Sequence, residues 1–271
     1  MKKKLPSAAA SASPVVATQD RQFVTALARG LEILTCFTAA TPELSGSEIA
    51  KRTGLAQPTV WRLCHTMLKM GMLVTVAGDK LRPGLPALRL GHSAIAGLGL
   101  LDLARPHLQD IASRFGAACG LATRDKLNMV FVERREGQNQ LLLNLRIGST
   151  VPIATSAFGW AYLAGLPATA RAQVIREIQR HDPDVWAKVK PAFNRALAEY
   201  RETGLILNAA VFHKAYNTLA VPIVLPDGSV PYCLNCGSAV STLSEKALRK
   251  EVAPRLLELA GLLQDFLSTR T

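Results

Sequence analysis

The sequence predicts an α+β protein made of two unlike domains. Three observations carry that reading. Residues 21–84 alternate helical periods with turn residues and end on a short hairpin. Beyond residue 100, hairpin-like strands are mixed with helices, the pattern of an antiparallel sheet covered by helices. The chain has 271 residues, 49% of them hydrophobic, which exceeds one small domain and suffices for two cores.

Residues 1–20 begin Met1-Lys2-Lys3-Lys4 and are interrupted by Pro6 and Pro14. They read as a flexible basic tail, because a secretory leader needs an unbroken apolar core after its lysines. Residues 24–37 follow with Val24, Leu27, Leu31, Leu34 and Phe37 at helical spacing. Thr41-Pro42 ends that segment. Ser45 and Glu48 then have the spacing of a capping box, in which each side chain satisfies an otherwise unpaired backbone N–H. Ile49, Ala50 and Leu55 supply the apolar side of a short second helix. Gly54 can take the left-handed conformation that stops it. Pro58 suits the first turn of a third helix, where its missing N–H is not needed. Val60, Leu63, Cys64 and Met67 form that helix's buried stripe. Gly71 ends it, 72–76 reads as a strand, Ala77-Gly78-Asp79 as a turn and 80–82 as the return strand. Helix, short helix, glycine turn, helix and hairpin together describe a winged helix-turn-helix over residues 21–84. Leu85, Leu88 and Ile95 make 85–96 a linker helix, and Gly97 and Gly99 loosen the junction, so the linker spans 85–99.

The second domain covers 100–271. Its predicted helices are 101–115, with Leu103, Leu108 and Ile111 inward, 156–166, 168–180, 191–203 and an amphipathic closing helix over 244–267. Its predicted strands are 118–123, 129–133, 140–146, 205–208, 219–225 and 230–236, with Pro226-Asp227-Gly228-Ser229 as a hairpin turn.

The net charge is +12. Residues 21–90 hold nine Lys/Arg against four Asp/Glu, and residues 91–271 hold twenty against fifteen. The shorter first part is the more densely basic, which points to a polyanion partner there. No stretch reaches the ~18 consecutive apolar residues of a membrane span. The five cysteines are odd in number and scattered, which suits a reducing, cytoplasmic setting. Cys233 and Cys236 have no second pair to complete a zinc site, and on a strand they point to opposite faces. The histidines lack metal-ligand spacing. Ser156 and His213 lack a nucleophile-elbow context. The expectation is no catalysis, no metal and no cofactor.

With the buried stripe of the third helix fixed, its other side presents Gln57, Thr59, Trp61, Arg62 and Thr66. Gln reads adenine and Arg reads guanine or grips phosphate, and a helix fits the major groove. Lys80 and Arg82 on the wing are placed for phosphate contacts, which supply most of the affinity for DNA.

The segment Gly54-Leu55-Ala56-Gln57-Pro58-Thr59-Val60-Trp61-Arg62-Leu63 resembles the turn and recognition helix of the IclR family of bacterial regulators. So do Lys80-Leu81-Arg82-Pro83-Gly84 and Leu88-Arg89-Leu90-Gly91. The resemblance continues through Asp102-Leu103-Ala104-Arg105-Pro106-His107-Leu108, Val151-Pro152, Ala157-Phe158-Gly159, Leu163-Ala164 and Leu219-Ala220-Val221-Pro222-Ile223, and so spans about residues 23–267. It implies a winged-helix dimer, or dimer of dimers, on a double-stranded operator, with a GAF-like effector domain. Two departures stand out. Gln57-Pro58-Thr59 stands where the family commonly has Lys-Ser-Thr, and Gly159-Trp160-Ala161 where it tends to have Gly-Lys-Ala.

The resemblance also carries over an effector cavity: Leu143, Val151, Ala157, Phe158, Asn208, Tyr216, Thr218, Asn235 and Gly237. In members that sense small oxo-acids the counterparts of four of these include an Asp, a Cys and two Ser. Here they are Asn208, Thr218, Asn235 and Gly237, which implies a different ligand, a carboxylate or an aromatic metabolite. The expected protein is therefore an effector-controlled, sequence-specific DNA-binding regulator. The alternative is a winged-helix DNA binder that answers to no ligand, and a third class is an enzyme using the second domain.

Overall fold

The computed structural model describes residues 22–138 and 143–269. The predicted basic tail, 1–20, lies outside them. The chain divides into two compact units, one ending at Gly97 and the other beginning at Leu98.

In the first unit, α1 (Thr25–Thr35), α2 (Gly46–Thr53) and α3 (Gln57–Lys69) surround a core of Ile33, Leu44, Ile49, Val60, Cys64, Met67, Leu73 and Leu81. The capping box forms as the spacing predicts. The Glu48 N–H donates to Ser45 Oγ at 3.3 Å and the Ser45 N–H donates to Glu48 Oε2 at 2.8 Å. The Ser45 N–H and, at 2.9 Å, the Ser45 hydroxyl both donate to Glu48 Oε2 and hold that carboxyl below its usual range. Gly54 takes a φ of 69° and ends α2. A two-residue β1 (Leu44–Ser45), β2 (Leu73–Val76) and β3 (Lys80–Pro83) form an antiparallel sheet in the order β1-β3-β2. Three residues, Ala77-Gly78-Asp79, separate the paired Val76 and Lys80, and Gly78 and Asp79 both take positive φ (73° and 54°) to reverse the chain. α4 follows (Leu85–Ala96). The apolar residues at helical spacing on and beside α1 are largely left open: Val24, Leu27 and Leu31 are exposed and Leu34 and Phe37 half-buried, while Ile33 is fully buried.

The second unit is a six-stranded antiparallel sheet with helices on both faces. Its elements are α5 (Leu100–Phe115), β4 (Ala118–Asp125), β5 (Asn128–Glu136), β6 (Thr150–Pro152), α6 (Ala157–Gly165), α7 (Ala168–His181), α8 (Pro183–Thr203), β7 (Ile206–Ala209), β8 (Tyr216–Ile223), β9 (Tyr232–Ala239), a helical turn α9 (Glu245–Ala247), a π-helical turn over Leu248–Val252, and α10 (Ala253–Ser268). The strand order is β6-β5-β4-β9-β8-β7. α6 packs on one face, sharing a core with α7 and α8. α5 and α10 pack against each other and against the sheet.

Four segments depart from expectation. Residues 143–146 are irregular rather than a strand (residues 140–142 lie outside the described ones), and the edge strand is β6 instead. The Gly148 N–H donates to Phe131 O and the Phe131 N–H to Ser149 O, so a turn at Gly148 (φ 82°) precedes the pairing of Val151 with Met129. The helix predicted from Pro191 begins at Pro183, where the Asp182 carboxylate accepts the Val185 N–H at 3.1 Å, and Pro191 lies inside it. The closing helix is interrupted by the π-turn just before Pro254, whose ring and missing N–H break the regular ladder. In α5, Leu103 is half-buried while Leu100, Leu101 and Ala104 join Leu108 and Ile111 in the core. Pro222 sits in an inner strand without harm because β7 stops pairing at Ala220.

Candidate functional site

Two surfaces take shape from these elements. In the first unit, α3 buries Val60, Cys64 and Met67 and half-buries Leu63. The arc opposite is open: Gln57, Trp61, Arg62 and Thr66 are exposed and Thr59 is half-buried. Pro58 lies in the first turn and no acidic residue accompanies it, so the positive end of the helix dipole is unopposed by its own sequence. Trp61 is 67% exposed and stacks on His65, ring centroids 5.4 Å apart and 18° from parallel. His65 was not among the predicted site residues. The signal for it was the i, i+4 spacing of two rings. The Thr66 hydroxyl donates to Arg62 O at 3.1 Å, a bond within its own helix, which leaves the Gln57, Trp61 and Arg62 side chains as the outward groups. On β3, Lys80 and Arg82 are exposed on either side of buried Leu81. Lys80 is close enough to help hold the Glu48 carboxyl low, after the Ser45 hydrogen bonds. Arg52 is otherwise engaged: its Nη1 donates to Cys36 O and Thr41 Oγ1 at 2.8 and 3.0 Å.

In the second unit the register brings six of the nine carried-over positions to one sheet face, beneath α6. Asn208 pairs with Thr218, Thr218 with Gly237, and Gly237 with Ala118. One step along, Ala220 pairs with Asn235, Asn235 with Gly120, and Gly120 with Arg134. Tyr216 is two residues before Thr218 on β8, and its hydroxyl donates to Gly237 O at 2.7 Å. Burial raises the Tyr216 phenol well above its usual pKa, and the nearby Arg134 guanidinium opposes that shift. A Cβ at Gly237 would meet Tyr216 Cε1 at 2.5 Å and Thr218 Oγ1 at 2.8 Å, so only glycine lets those side chains close over the strand. Val151 lies on β6, and Ala157 and Phe158 open α6, all buried. Phe158 meets Phe131 edge-on at 5.1 Å. Leu143 is half-buried in the irregular segment rather than on a strand.

The polar groups differ in what is left over. Asn208 Nδ2 donates to Thr155 O at 2.9 Å and its Oδ1 accepts the Phe212 N–H at 3.2 Å, so its amide ties two loops to the sheet. Ser156 is the α6 cap: it accepts the Gly159 N–H at 3.1 Å and donates to Pro152 O at 2.7 Å. Its hydroxyl is thus engaged on both sides. Trp160 is buried, and its Nε1 donates to Ala154 O at 2.7 Å. Asn235 Oδ1 is buried without a partner among the described residues, as is Arg134 Nη2. Sequence reasoning did not single out Arg134. It lies one residue beyond the strand predicted over 129–133, and the structure extends that strand to Glu136. Cys233 and Cys236 are both fully buried in β9, pairing with Ala122 and Cys119.

Comparison with known proteins agrees on both units. The family model described as the IclR helix-turn-helix domain matches residues 26–77, and that described as bacterial transcriptional regulator IclR C-terminal matches 92–263. The HTH-type transcriptional regulator TsaQ1/TsaQ2 of Comamonas testosteroni is 32% identical over 240 residues, covering 87% of this chain and 86% of its own. The crystal structure of an IclR family transcriptional regulator from Brucella abortus superposes with a TM-score of 0.81 at 36% identity, covering 91% of this chain and 94% of that one. An IclR homolog from Microbacterium hydrocarbonoxydans, solved in complex with 4-hydroxybenzoate, shares the fold with a TM-score of 0.69 at 23% identity, covering 89% of this chain and 98% of its own. Among the described residues no helix is long and apolar enough to cross a membrane.

Proposed function

This chain belongs to the IclR family of bacterial transcriptional regulators, and from that premise we propose how its two units divide the work. The protein is an IclR-type regulator with a helix-turn-helix DNA-binding domain and a C-terminal effector-binding domain. α3 enters the major groove, where Gln57, Trp61 and Arg62 read base edges and Thr59 and Thr66 flank them. Lys80 and Arg82 grip phosphates. The observation that carries this reading is the outward arc of α3, where a two-thirds exposed tryptophan and an arginine stand clear of the core. An indole and a guanidinium left in water serve recognition better than folding. The protein acts in the cytoplasm, where the DNA is, without catalysis or a cofactor. A small molecule held beneath α6 shifts the population competent for DNA, by its difference in affinity for the two states.

The test begins with duplexes selected by the purified protein from a random pool. Arg62→Ala is expected to weaken binding to the selected duplex by about 5- to 150-fold, the equivalent of ~1–3 kcal/mol for a base contact. Thr66→Ala should change affinity little, since its hydroxyl is bonded within α3. Binding should fall steeply with salt as condensed ions are released. Normal affinity in a stably folded Arg62→Ala protein would remove α3 from the interface.

Assembly follows from the same unit. Phe23 and Val24 just before α1, Leu27 and Leu31 on it, and Leu85, Leu88 and Leu90 on α4 are exposed, and α4 buries no residue at all. Contiguous exposed apolar faces are commonly covered by a partner, and a second copy supplies the paired recognition helix that a two-fold operator needs. Sedimentation at micromolar concentration is expected to show a dimer or a dimer of dimers. A monomer would overturn the assignment.

A further inference from the structure

We propose that Trp61, backed by His65, reads the C5-methyl group of one thymine in each operator half-site. This rests on reading α3 as the helix that enters the major groove. Gln57, Trp61 and His65 are spaced i, i+4 and i+8, so they form one ridge along α3, and all three are exposed. Residues four apart are separated by about 6 Å along a helix. The two rings close that gap: their centroids are 5.4 Å apart and their planes 18° from parallel. Helical side chains lean toward the N-terminus of their helix. The imidazole therefore covers the indole from its C-terminal side. The other ring face is turned toward Gln57 and the opening turn, the part of a recognition helix that meets base edges.

The ring is open yet held. Trp61 is 67% exposed. Among the described residues no hydrogen bond within the protein fixes the indole, and the stack on His65 does so instead. A side chain already limited in its rotamers loses less freedom when it binds. The surroundings suit DNA better than an apolar protein partner. α3 contains no Asp or Glu, and Arg62 and Lys69 stand exposed beside the ring pair. Cations flanking an aromatic surface, with no carboxylate on the same helix, are complementary to a polyanion whose bases carry the apolar contact.

The chemistry of the indole selects the base feature. It has one N–H donor and no acceptor, and the rest of its open surface is hydrocarbon. Hydrogen bonding to bases falls to Gln57 and Arg62, whose side chains match adenine and guanine edges. In the major groove the thymine C5-methyl is the apolar group on display, and aromatic side chains pack on it. Burying that methyl against the indole takes apolar surface of both partners out of water. The ring pair thus adds a reading that the polar residues of α3 do not supply.

The experiment uses the full-length protein and the duplex it selects from a random pool. Each thymine in turn is replaced by deoxyuridine, which removes the methyl and keeps every hydrogen-bonding group. One position per half-site is expected to weaken parent binding about fourfold, the equivalent of ~0.8 kcal/mol for one buried methyl-sized group, and both together about 15-fold. Trp61→Ala should bind the thymine and deoxyuridine duplexes equally well. Trp61→Phe should keep a reduced preference. His65→Ala leaves the indole unbacked and should shrink the thymine preference, and His65→Phe should restore it. A residue that only stabilised the helix would change affinity for both duplexes alike. Where Trp61→Ala binds too weakly to compare, the two His65 variants decide. An undiminished thymine preference in Trp61→Ala or in His65→Ala overturns the proposal, as does a selected duplex with no fixed thymine in each half-site. A parent indifferent to deoxyuridine at every thymine also overturns it. If Arg62→Ala is still weakened in that case, α3 remains the recognition helix. If Arg62→Ala binds normally as well, α3 itself leaves the interface.

Discussion

Replacing Gly159 with alanine is expected to lower the melting temperature by about 5–10 °C, the shift that ~2–3 kcal/mol of overpacking gives in a chain of this size. Gly159 lies in the first turn of α6, and a Cβ there would fall inside the backbone of Ile153, on its Cα, C and O atoms. Backbone cannot rotate away as a side-chain tip can. The turn is also held by the Ser156 cap and by the bond from Trp160 Nε1 to Ala154 O, so α6 has no freedom to back off without breaking them. Because α6 roofs the sheet face carrying Asn235, Gly237 and Arg134, the variant should also lose affinity for whatever ligand stabilises the parent. Gly261→Ala is the control. It lies within α10, where an added methyl meets nothing within 4 Å, so it is expected to gain ~0.5–1 kcal/mol from helix propensity alone. Scanning calorimetry on both variants checks the opposite signs. A Gly159→Ala protein as stable as the parent would show that α6 is not seated against Ile153 in this way.

Gly84→Ala is expected to have the largest effect on the first unit. The Gly84 N–H donates to Met72 O at 2.8 Å, which joins the end of β3 to the start of β2. A Cβ at this position would collide with the carbonyl oxygen of Gly71, again backbone against backbone. Gly71 itself has a φ of 70°, so the other side of the contact is equally constrained. Relieving the clash means parting the wing from the end of α3. Since the wing carries Lys80 and Arg82, affinity for the selected duplex should fall by about 5- to 150-fold, the equivalent of the ~1–3 kcal/mol of a core clash spent on displacing the wing. Ligand binding by the second unit should persist. Gly46→Ala, whose added methyl meets nothing within 4 Å, should leave DNA binding unchanged. Hydrogen exchange at the β2 and β3 amides provides a second readout. Parent-like protection in Gly84→Ala would contradict this role for the glycine.

The sequence by itself determined the features whose causes lie within a few residues. Ser45 and Glu48 announced their capping box, Gly54 its helix stop, Gly78-Asp79 the wing turn, and Pro58 the start of α3. The outward arc of α3 was legible too, because a helix of known start and known buried stripe leaves only one side free. The start of α8 was written in Asp182-Pro183 but masked by Pro191, which imitates a helix start from inside the helix. Only the tertiary structure decided which side of α1 is buried, that β6 and not residues 140–146 closes the sheet edge, and that Arg134, Gly120 and Asn235 share one row. Those three residues come from strands more than a hundred positions apart at the extremes, and the pairing of β4 with β9 depends on which faces α6 and α5 cover. Register is set by burial across the whole sheet, and a slip of one residue would turn every side chain to the other face. No local period encodes that choice, so the polar row became visible only once the strands were laid side by side.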